Sequence, residues 1–205
     1  MRATAATRHE SARRAILDAA RALVLSRGHE KLSLRAVARR AGYSPASLYE
    51  YFDGKDQILR TLAAEASARL GAELRSAVQA PDRTTSALVR LGLAYVRFAR
   101  EHGEDFLLLF ARLPSQRRRL SEEATVQSPY RLVLEAVTAS MERGEVRSGD
   151  RLAVEQLAYG LWATAHGMAM LQLTHLTGFD ADFKAADRVN LVALAEGWRS
   201  GGRET

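Results

Sequence analysis

One segment constrains the fold of this chain more than any other: residues 33–55, SLRAVARRAGYSPASLYEYFDGK. Ser33 is a residue type that caps helices, and the residues after it place small apolar side chains at helical spacing. Gly42 tolerates the positive φ that ends many helices, and Ser44-Pro45 is typical of the start of a new one. Two short helices joined by a tight glycine turn form a helix-turn-helix.

The second helix of this segment predicts a surface that contacts another molecule. Leu48 and Phe52 are four residues apart and fall on one helix face. Ser47, Tyr49 and Tyr51 therefore lie on other sides of the helix. Hydroxyl groups of this kind suit contacts with phosphates and base edges in the major groove of DNA. The segment is therefore expected to bind DNA.

This region resembles the DNA-binding domain of the TetR family of bacterial transcription regulators. In that family a helix of the type AILDAARALVLSRG comes first, as at residues 15–28 here. The second helix of the pair ends in a Leu-Tyr-x-x-Phe signature with a lysine three residues later, here Leu48, Tyr49, Phe52 and Lys55. The resemblance implies a DNA-binding regulator that binds double-stranded DNA and is not an enzyme.

Matching positions with the family gives the residues expected at the DNA. Phosphate contacts are expected from Ser33, Tyr43, Ser44, Tyr49 and Lys55. Base-edge contacts are expected from Arg35, Ala46 and Ser47, since arginine suits a bidentate contact with guanine. Tyr51 stands where the family often has histidine and is included among the DNA-binding residues. The alternative for Tyr49 and Tyr51 is that they belong partly to the core.

The placement of charge agrees with a DNA reader at the N-terminal end. The chain has a net charge of +6 over 205 residues. Residues 1–60 hold 12 Lys and Arg against 6 Asp and Glu, whereas residues 61–205 hold 18 against 18. The whole excess therefore lies in the segment with the helix-turn-helix, as expected of a basic DNA-binding domain joined to a neutral partner domain.

The remaining pattern predicts an all-α protein with about nine helices, because alternating apolar and polar runs of useful length are absent. Residues 1–54 are expected to form a three-helix DNA-binding domain, with residues 1–9 as a disordered arm. Residues 55–205 are expected to form a helical ligand-binding and dimerisation domain. A long helix is expected from Lys55 to about Gln79, with the domain boundary within it, and residues 115–127 are expected to form an exposed loop or a frayed turn.

Residues 161–173, LWATAHGMAMLQL, place Trp162 and His166 four apart on one helix face. The pattern resembles the C-terminal domain of one TetR subgroup, characterised by Trp-His-Gly, in which the late helices line a ligand cavity. An apolar pocket with one polar group is then expected, lined by Phe106, Phe110, Trp162, His166 and Met170. The alternative is that Trp162 packs in the core and His166 bonds a backbone carbonyl.

Small residues on the same helix predict a dimer seam. Gly160, Thr164, Gly167 and Leu171 recur at spacings of four, three and four, which forms a ridge that allows close approach of helices. The seam is expected to include Leu191, Leu194 and Trp198 of the last helix and to form a four-helix interface. A two-fold dimer implies a near-palindromic operator with half-sites roughly 34–36 Å apart.

Other classes of function find little support in the sequence. The chain has no cysteine, which excludes disulfides and thiolate metal sites. His166 and His175 are nine apart and face roughly opposite directions on a helix, and Asp180 is expected to cap the last helix. No metal, cofactor or catalytic residue is expected. The absence of a long apolar run and of a signal-like N-terminus predicts a cytoplasmic protein without a membrane segment.

The function expected from the sequence is that of a homodimeric repressor, which a small, mostly apolar ligand releases from its operator. The alternative is a ligand-independent regulator or an activator, whose C-terminal domain serves as a protein-interaction module. A large exposed apolar patch outside the dimer seam would favour this alternative.

Overall fold

The computed structural model of the chain describes residues 5–82, 84–110, 128–146 and 151–200. These residues contain eight α-helices, two short 3-10 helices and no strand, which confirms the all-α prediction. The 3-10 helices are His29–Lys31 and Ser47–Glu50. The α-helices are α1 (Ala5–Arg27), α2 (Leu34–Ala41), α3 (Lys55–Gln79), α4 (Ala87–Glu101), α5 (Gly103–Leu109), α6 (Pro129–Glu142), α7 (Arg151–Thr174) and α8 (Phe183–Ser200). The loop predicted at residues 115–127 lies outside the described residues.

The described residues fall into two compact units whose division lies inside α3. The first unit consists of residues up to Ala66 together with residues 104–110, and the second consists of residues 67–103 and the described residues from Ser128 onward. The domain bounds expected from the sequence, residues 1–54 and 55–205, stay a prediction. Ile58, Leu59 and Leu62 at the start of α3 are buried in the core of the first unit.

The first unit is organised around the apolar face of α1. Ile16 and Ala20 of this helix are fully buried and belong to one core with Val37, Leu48 and further residues of the unit. At the rim of this core, Arg14 and Arg21 donate to the two oxygens of Glu65 at 3.0 and 2.6 Å. These ion pairs join α1 to α3.

The first helix begins earlier than the sequence suggested. Residues 1–9 were predicted to be a disordered arm, whereas α1 starts at Ala5. The ring of His9 lies 4.7 Å from the ring of Tyr51, measured between centroids. This contact gives the additional helical turn a tertiary partner that local propensity does not reveal.

The turn of the helix-turn-helix follows the predicted chemistry. The side chain of Ser33 accepts a hydrogen bond from the Ala36 amide at 3.3 Å, so that it caps α2. Gly42 adopts the left-handed conformation at φ 77° after the last residue of that helix. A residue with a Cβ would be strained at this φ, which explains why glycine stands here.

The second helix of the pair is shorter and tighter than predicted. Ser44 accepts a hydrogen bond from the Ser47 amide at 3.1 Å, as a cap would, but the ordered turns are of the 3-10 type over Ser47–Glu50. The Tyr49 amide donates to the carbonyl of Ala46, an i to i+3 bond. Because the segment ends at the Asp53-Gly54 bend, it has no room for a long α-helical ladder. We call residues 44–52 the recognition segment.

The core of the second unit lies where α4 packs on α6, α7 and α8. Leu191 of α8 is 1% exposed, and a Cβ built on Gly92 of α4 would lie 2.7 Å from it. Glycine therefore permits the close approach of these two helices. The Arg100 guanidinium donates to the buried carboxylate of Asp187 at 2.6 Å, which also joins α4 to α8.

The start of α8 corrects another expectation. The sequence analysis assigned the cap of this helix to Asp180, whereas the helix begins at Phe183. Asp182 Oδ1 accepts a hydrogen bond from the Ala185 amide at 3.0 Å and is therefore the capping residue. Two aspartates so close together in sequence offer the same capping chemistry, and the position of the helix decides between them.

Candidate nucleic-acid interface

Tyr49 is the most exposed aromatic side chain of the recognition segment. It leaves 61% of its surface accessible, while its neighbour Leu48 is fully buried in the core. The alternative that Tyr49 belongs to the core is therefore wrong within this unit. A phenol held outward beside a buried leucine is available as a hydrogen-bond donor to a phosphate oxygen.

Three serine hydroxyls lie at the two helix starts of this module. Ser33 and Ser44 use acceptor lone pairs to cap backbone amides, and the Oγ atoms of Ser44 and Ser47 lie 2.7 Å apart. A hydroxyl has one donor and two acceptor lone pairs, so an accepting cap keeps its O–H for a further partner. Ser33 and Ser44 are exposed, and Ser47 is half-buried. The DNA contacts expected of all three stay predictions.

The exposed side of α2 and the start of α3 carry positive charge. Arg35, Arg39 and Arg40 of α2 are exposed, as is Lys55 at the first position of α3. None of the four forms a salt bridge with another residue of the described ranges. Solvated and uncompensated cations are what phosphate neutralisation requires. Arg39 and Arg40 were not among the predicted DNA-binding residues, although both are exposed, as Arg35 is.

Two of the predicted tyrosines are held partly inside the unit. Tyr43 and Tyr51 are half-buried against the core, with ring centroids 6.1 Å apart in an edge-on arrangement. Tyr51 is further covered by His9. The alternative of a partial core role therefore applies to Tyr51. Ala46, the last of the predicted set, is exposed just before the 3-10 turns.

The second unit contains a partly buried chain of polar side chains on α4 and α7. The indole N–H of Trp162 donates to the Tyr95 hydroxyl at 3.1 Å, and that hydroxyl lies 3.0 Å from His166 Nδ1. Burial raises the pKa of Tyr95 far above its ordinary value and lowers the pKa of His166. The Tyr95 hydroxyl and His166 Nδ1 share this hydrogen bond, and the tautomer of the imidazole sets which of the two donates. The sequence suggested a backbone carbonyl as the partner of His166, and the structure shows a bond with a tyrosine hydroxyl.

The residues of the predicted ligand pocket are divided between the two units. Phe106 and Phe110 belong to the first unit, where their ring centroids lie 5.1 Å apart. Trp162, His166 and Met170 belong to the second. Phe106 is fully buried, whereas Phe110 is 38% exposed. A shared pocket stays a prediction.

Two clefts of the second unit were not foreseen from the sequence. One, of about 350 Å³, lies where the first turn of α4 meets the later turns of α8. The other, of about 700 Å³, lies beside the loop between α3 and α4. Neither is lined by Trp162, His166 or Met170. Their lining residues include Arg90, Arg143, Arg188 and Arg199. These arginines come from separate parts of the chain, so no local motif marks the clefts.

The predicted seam residues have different environments. Leu171 is 50% exposed, and Gly167 has open space where a Cβ would stand. Thr164, Leu194 and Trp198 are half-buried, and Trp198 lies beside Gly160 within the same chain, 3.5 Å from where a Cβ would stand. Leu191 is buried against α4 and does not belong to an exposed seam. Sequence reasoning missed Tyr159 and Val189, which are 59% and 66% exposed on the same two helices.

Comparison with protein families covers both units. The model of bacterial regulatory proteins of the tetR family matches residues 16–62, which include the helix-turn-helix. A second model, the tetracyclin repressor-like C-terminal domain, matches residues 88–193 and thus more than half of the chain. The chain belongs to the TetR family. The more specific resemblance to the Trp-His-Gly subgroup stays a prediction.

Individual proteins resemble this TetR-family chain over most of its length. The HTH-type transcriptional regulator BetI of Brucella suis biovar 1 is 24% identical over 187 residues, which cover 90% of this chain and 87% of the relative. A solved structure of a protein of unknown function from Rhodococcus sp. RHA1 is 27% identical, with a TM-score of 0.77, over 92% of this chain and 96% of that one. The SmeT–triclosan complex shares the fold at 20% identity and a TM-score of 0.63, over 95% of each chain.

Membership of this family establishes the class of function. The chain is a DNA-binding transcription regulator with an N-terminal helix-turn-helix, and it is not an enzyme. Within the described residues, no helix combines the length and the apolar character needed to cross a membrane.

Proposed function

We propose that the chain acts as a homodimeric repressor in the cytoplasm, which binds a near-palindromic operator and is released by a small, mostly apolar effector. The observation that carries the DNA-binding part is the outward set of Arg35, Tyr49 and Lys55 on a well-packed module. Arg35 reads a base edge, while Tyr49 and Lys55 hold phosphates and fix the register of the module.

The exposed faces of α7 and α8 support the homodimer. Tyr159, Leu171 and Val189 each expose half or more of a large apolar side chain, and Gly167 has open space where a Cβ would stand. Exposed apolar side chains on two helices are surface that a second copy of the chain can cover. A two-fold axis through such a seam presents two recognition segments to one operator.

The environment of Trp162 supports an effector with an apolar body and one polar group. Tyr95, Trp162 and His166 place their polar atoms in one chain of hydrogen bonds, and the ring of Tyr130 packs on Trp162 with centroids 5.2 Å apart. Small-molecule sites are typically lined by aromatic and apolar side chains with a few polar groups among them. The complex of SmeT with triclosan, a small aromatic compound, supports an effector of this kind by likeness of fold.

Release requires a difference in affinity. An effector that binds two arrangements of the helices equally would leave the DNA affinity unchanged, however tightly it binds. The effector therefore prefers an arrangement in which the two recognition segments no longer match the operator.

The proposal is tested by the release of labelled operator DNA, measured by fluorescence anisotropy, with a panel of small apolar compounds that begins with triclosan. The chain has two tryptophans, so Trp198→Phe leaves Trp162 as the sole indole reporter. An effector is expected to release the DNA and change the Trp162 emission. His166→Ala is expected to weaken both responses.

His175→Ala is the matched control, because His175 is exposed just beyond the end of α7. It is expected to respond like the parent protein. Operator binding that no compound in the panel releases would favour the alternative, a ligand-independent regulator or activator whose C-terminal domain binds another protein.

A further inference from the structure

Three side chains with metal-binding chemistry meet in the second unit. Glu73 lies on α3, Glu101 is the last residue of α4, and His102 follows directly. Each offers one ligand atom, and the three atoms lie within 4.8 Å of one another. His102 Nε2 is 3.7 Å from Glu73 Oε1. No metal site was expected from the sequence, because no local motif joins Glu73 to the pair at the end of α4.

The imidazole of His102 is oriented by contacts with the core. The His102 amide donates to the Phe98 carbonyl at 2.8 Å, which closes the last turn of α4. Its ring packs on the Phe98 ring with centroids 4.9 Å apart, and Phe98 is fully buried. The ligand nitrogen is therefore presented from a rigid support rather than from a flexible loop. Such preorganisation reduces the entropic cost of binding an ion.

The carboxylate of Glu73 provides a second, independent observation. Its Oε2 atom is inaccessible to solvent and accepts no hydrogen bond within the described residues. The Arg97 guanidinium forms an ion pair with this oxygen at 3.5 Å, which is too long for a strong hydrogen bond. A buried carboxylate oxygen without a hydrogen bond is costly, so the charge of Glu73 favours a cation bound to its other oxygen, Oε1, which lies beside His102 Nε2.

We propose that Glu73, Glu101 and His102 form a binding site for a divalent first-row transition cation such as Zn²⁺. One imidazole nitrogen and two carboxylate oxygens are ligands that such ions accept, with metal bonds of about 2.0–2.2 Å. Neighbouring ligand atoms in a tetrahedral site of that size lie about 3.3–3.6 Å apart. The separation between His102 Nε2 and Glu73 Oε1 therefore needs little adjustment, and the ion joins α3 to the end of α4.

Arg97 opposes metal binding at this site. It lies on α4 with its side chain exposed, and its positive charge is paired with the carboxylate that the ion would use. The ion and the guanidinium therefore compete for Glu73. Replacing Arg97 with glutamine is expected to tighten metal binding about tenfold, since it removes both the competitor and a nearby like charge.

The test is a titration of the full chain, free of any affinity tag, with Co²⁺ followed by visible absorption, and then displacement with Zn²⁺. We expect one ion per chain. Glu73→Gln, Glu101→Gln and His102→Gln are each expected to lower the affinity at least about tenfold. His175→Gln is the control for adventitious imidazole binding, and it is expected to leave the titration unchanged.

Glu101 is exposed, so its variant tests the site without disturbing the core. Circular dichroism of each variant checks that the helices are intact. The proposal is overturned by the absence of stoichiometric Co²⁺ uptake, by uptake that Glu101→Gln and His102→Gln leave unchanged, or by weaker binding in Arg97→Gln.

Discussion

Tyr49 has an exposure that packing does not explain, since the core contact of the recognition segment comes from Leu48. We expect Tyr49→Ala to lower operator affinity by about tenfold, the value of one hydrogen bond to a charged phosphate. The thermal unfolding midpoint is expected to change little, because the ring buries little surface. Fluorescence anisotropy and a thermal melt measure the two quantities.

Tyr49→Phe separates the hydroxyl from the ring. It is expected to lose nearly as much affinity as the alanine variant, because the contact is assigned to the phenolic O–H. Full affinity in Tyr49→Phe would assign the contact to the ring, and full affinity in Tyr49→Ala would remove this residue from the interface.

Arg35 and Lys55 are both exposed cations, yet they are expected to act differently on DNA. Arg35→Ala should reduce discrimination between the operator and a scrambled duplex, by about 1–3 kcal/mol for a lost base contact. Lys55→Ala should weaken binding to both duplexes equally, and it should lower the slope of log affinity against log salt by about 0.9. Salt titrations on both duplexes measure this. Equal behaviour of the two variants would refute the separate roles.

His166 makes the stability of the second unit depend on pH. Burial lowers its pKa below the ordinary 6.5, so the unfolded chain takes up a proton at a higher pH than the folded chain. The contribution of neutral His166 is complete above pH 6.5 and is lost as the pH falls toward the lowered value. The melting temperature should therefore fall more between pH 7 and pH 5 in the parent protein than in His166→Gln. Parallel decreases in the two proteins would contradict this.

Individual contacts show where sequence reasoning stops. Ser33 and Gly42 were predicted correctly, because capping and left-handed turns depend on a few neighbouring residues. The bond between Tyr95 and His166 spans 71 positions, and the pairing of Glu73 with His102 joins two different helices. Long-range contacts of this kind depend on helix packing, which no local pattern encodes.

At the scale of elements, helix positions were predictable where caps and breakers are strong. The long helix from Lys55 to Gln79 agrees with its predicted range, since Gly54 precedes it and Pro81 follows it. The recognition segment departs from prediction because it is too short for periodicity to distinguish 3-10 from α-helical turns. The buried face of α8 also differs from the prediction, which placed Leu191 in the dimer seam. The reason is that Gly92 of α4 leaves room for Leu191 in the core.

The exposed face of α7 and α8 leads to a prediction on assembly. Val189 is 66% exposed on α8, so Val189→Arg is expected to be tolerated within one chain but to introduce a charge at the seam. Light scattering at micromolar concentration should give about twice the chain mass for the parent protein and the mass of one chain for this variant. Ala68→Arg, at an exposed position of α3, is the control and should stay dimeric. A monomeric parent protein would contradict the proposed seam.

At the scale of the whole molecule, the uneven distribution of charge was readable from sequence and agrees with the family assignment. The excess of basic residues lies in the first sixty positions, which also hold the matched helix-turn-helix. The domain bounds expected from the sequence stay a prediction, and no local pattern indicated that Phe106 and Leu108 belong to the first unit. Sequence patterns predict where helices form more readily than they predict which helices pack together.

Selection of bound fragments from sheared genomic DNA of the source organism tests the central claim most directly. The purified protein is mixed with the fragments at physiological salt, and the retained DNA is sequenced. We expect strong enrichment of a few fragments that share a near-palindrome, with half-sites roughly 34–36 Å apart. Retained fragments without a shared sequence would contradict it, because non-specific phosphate binding alone would then explain the retention.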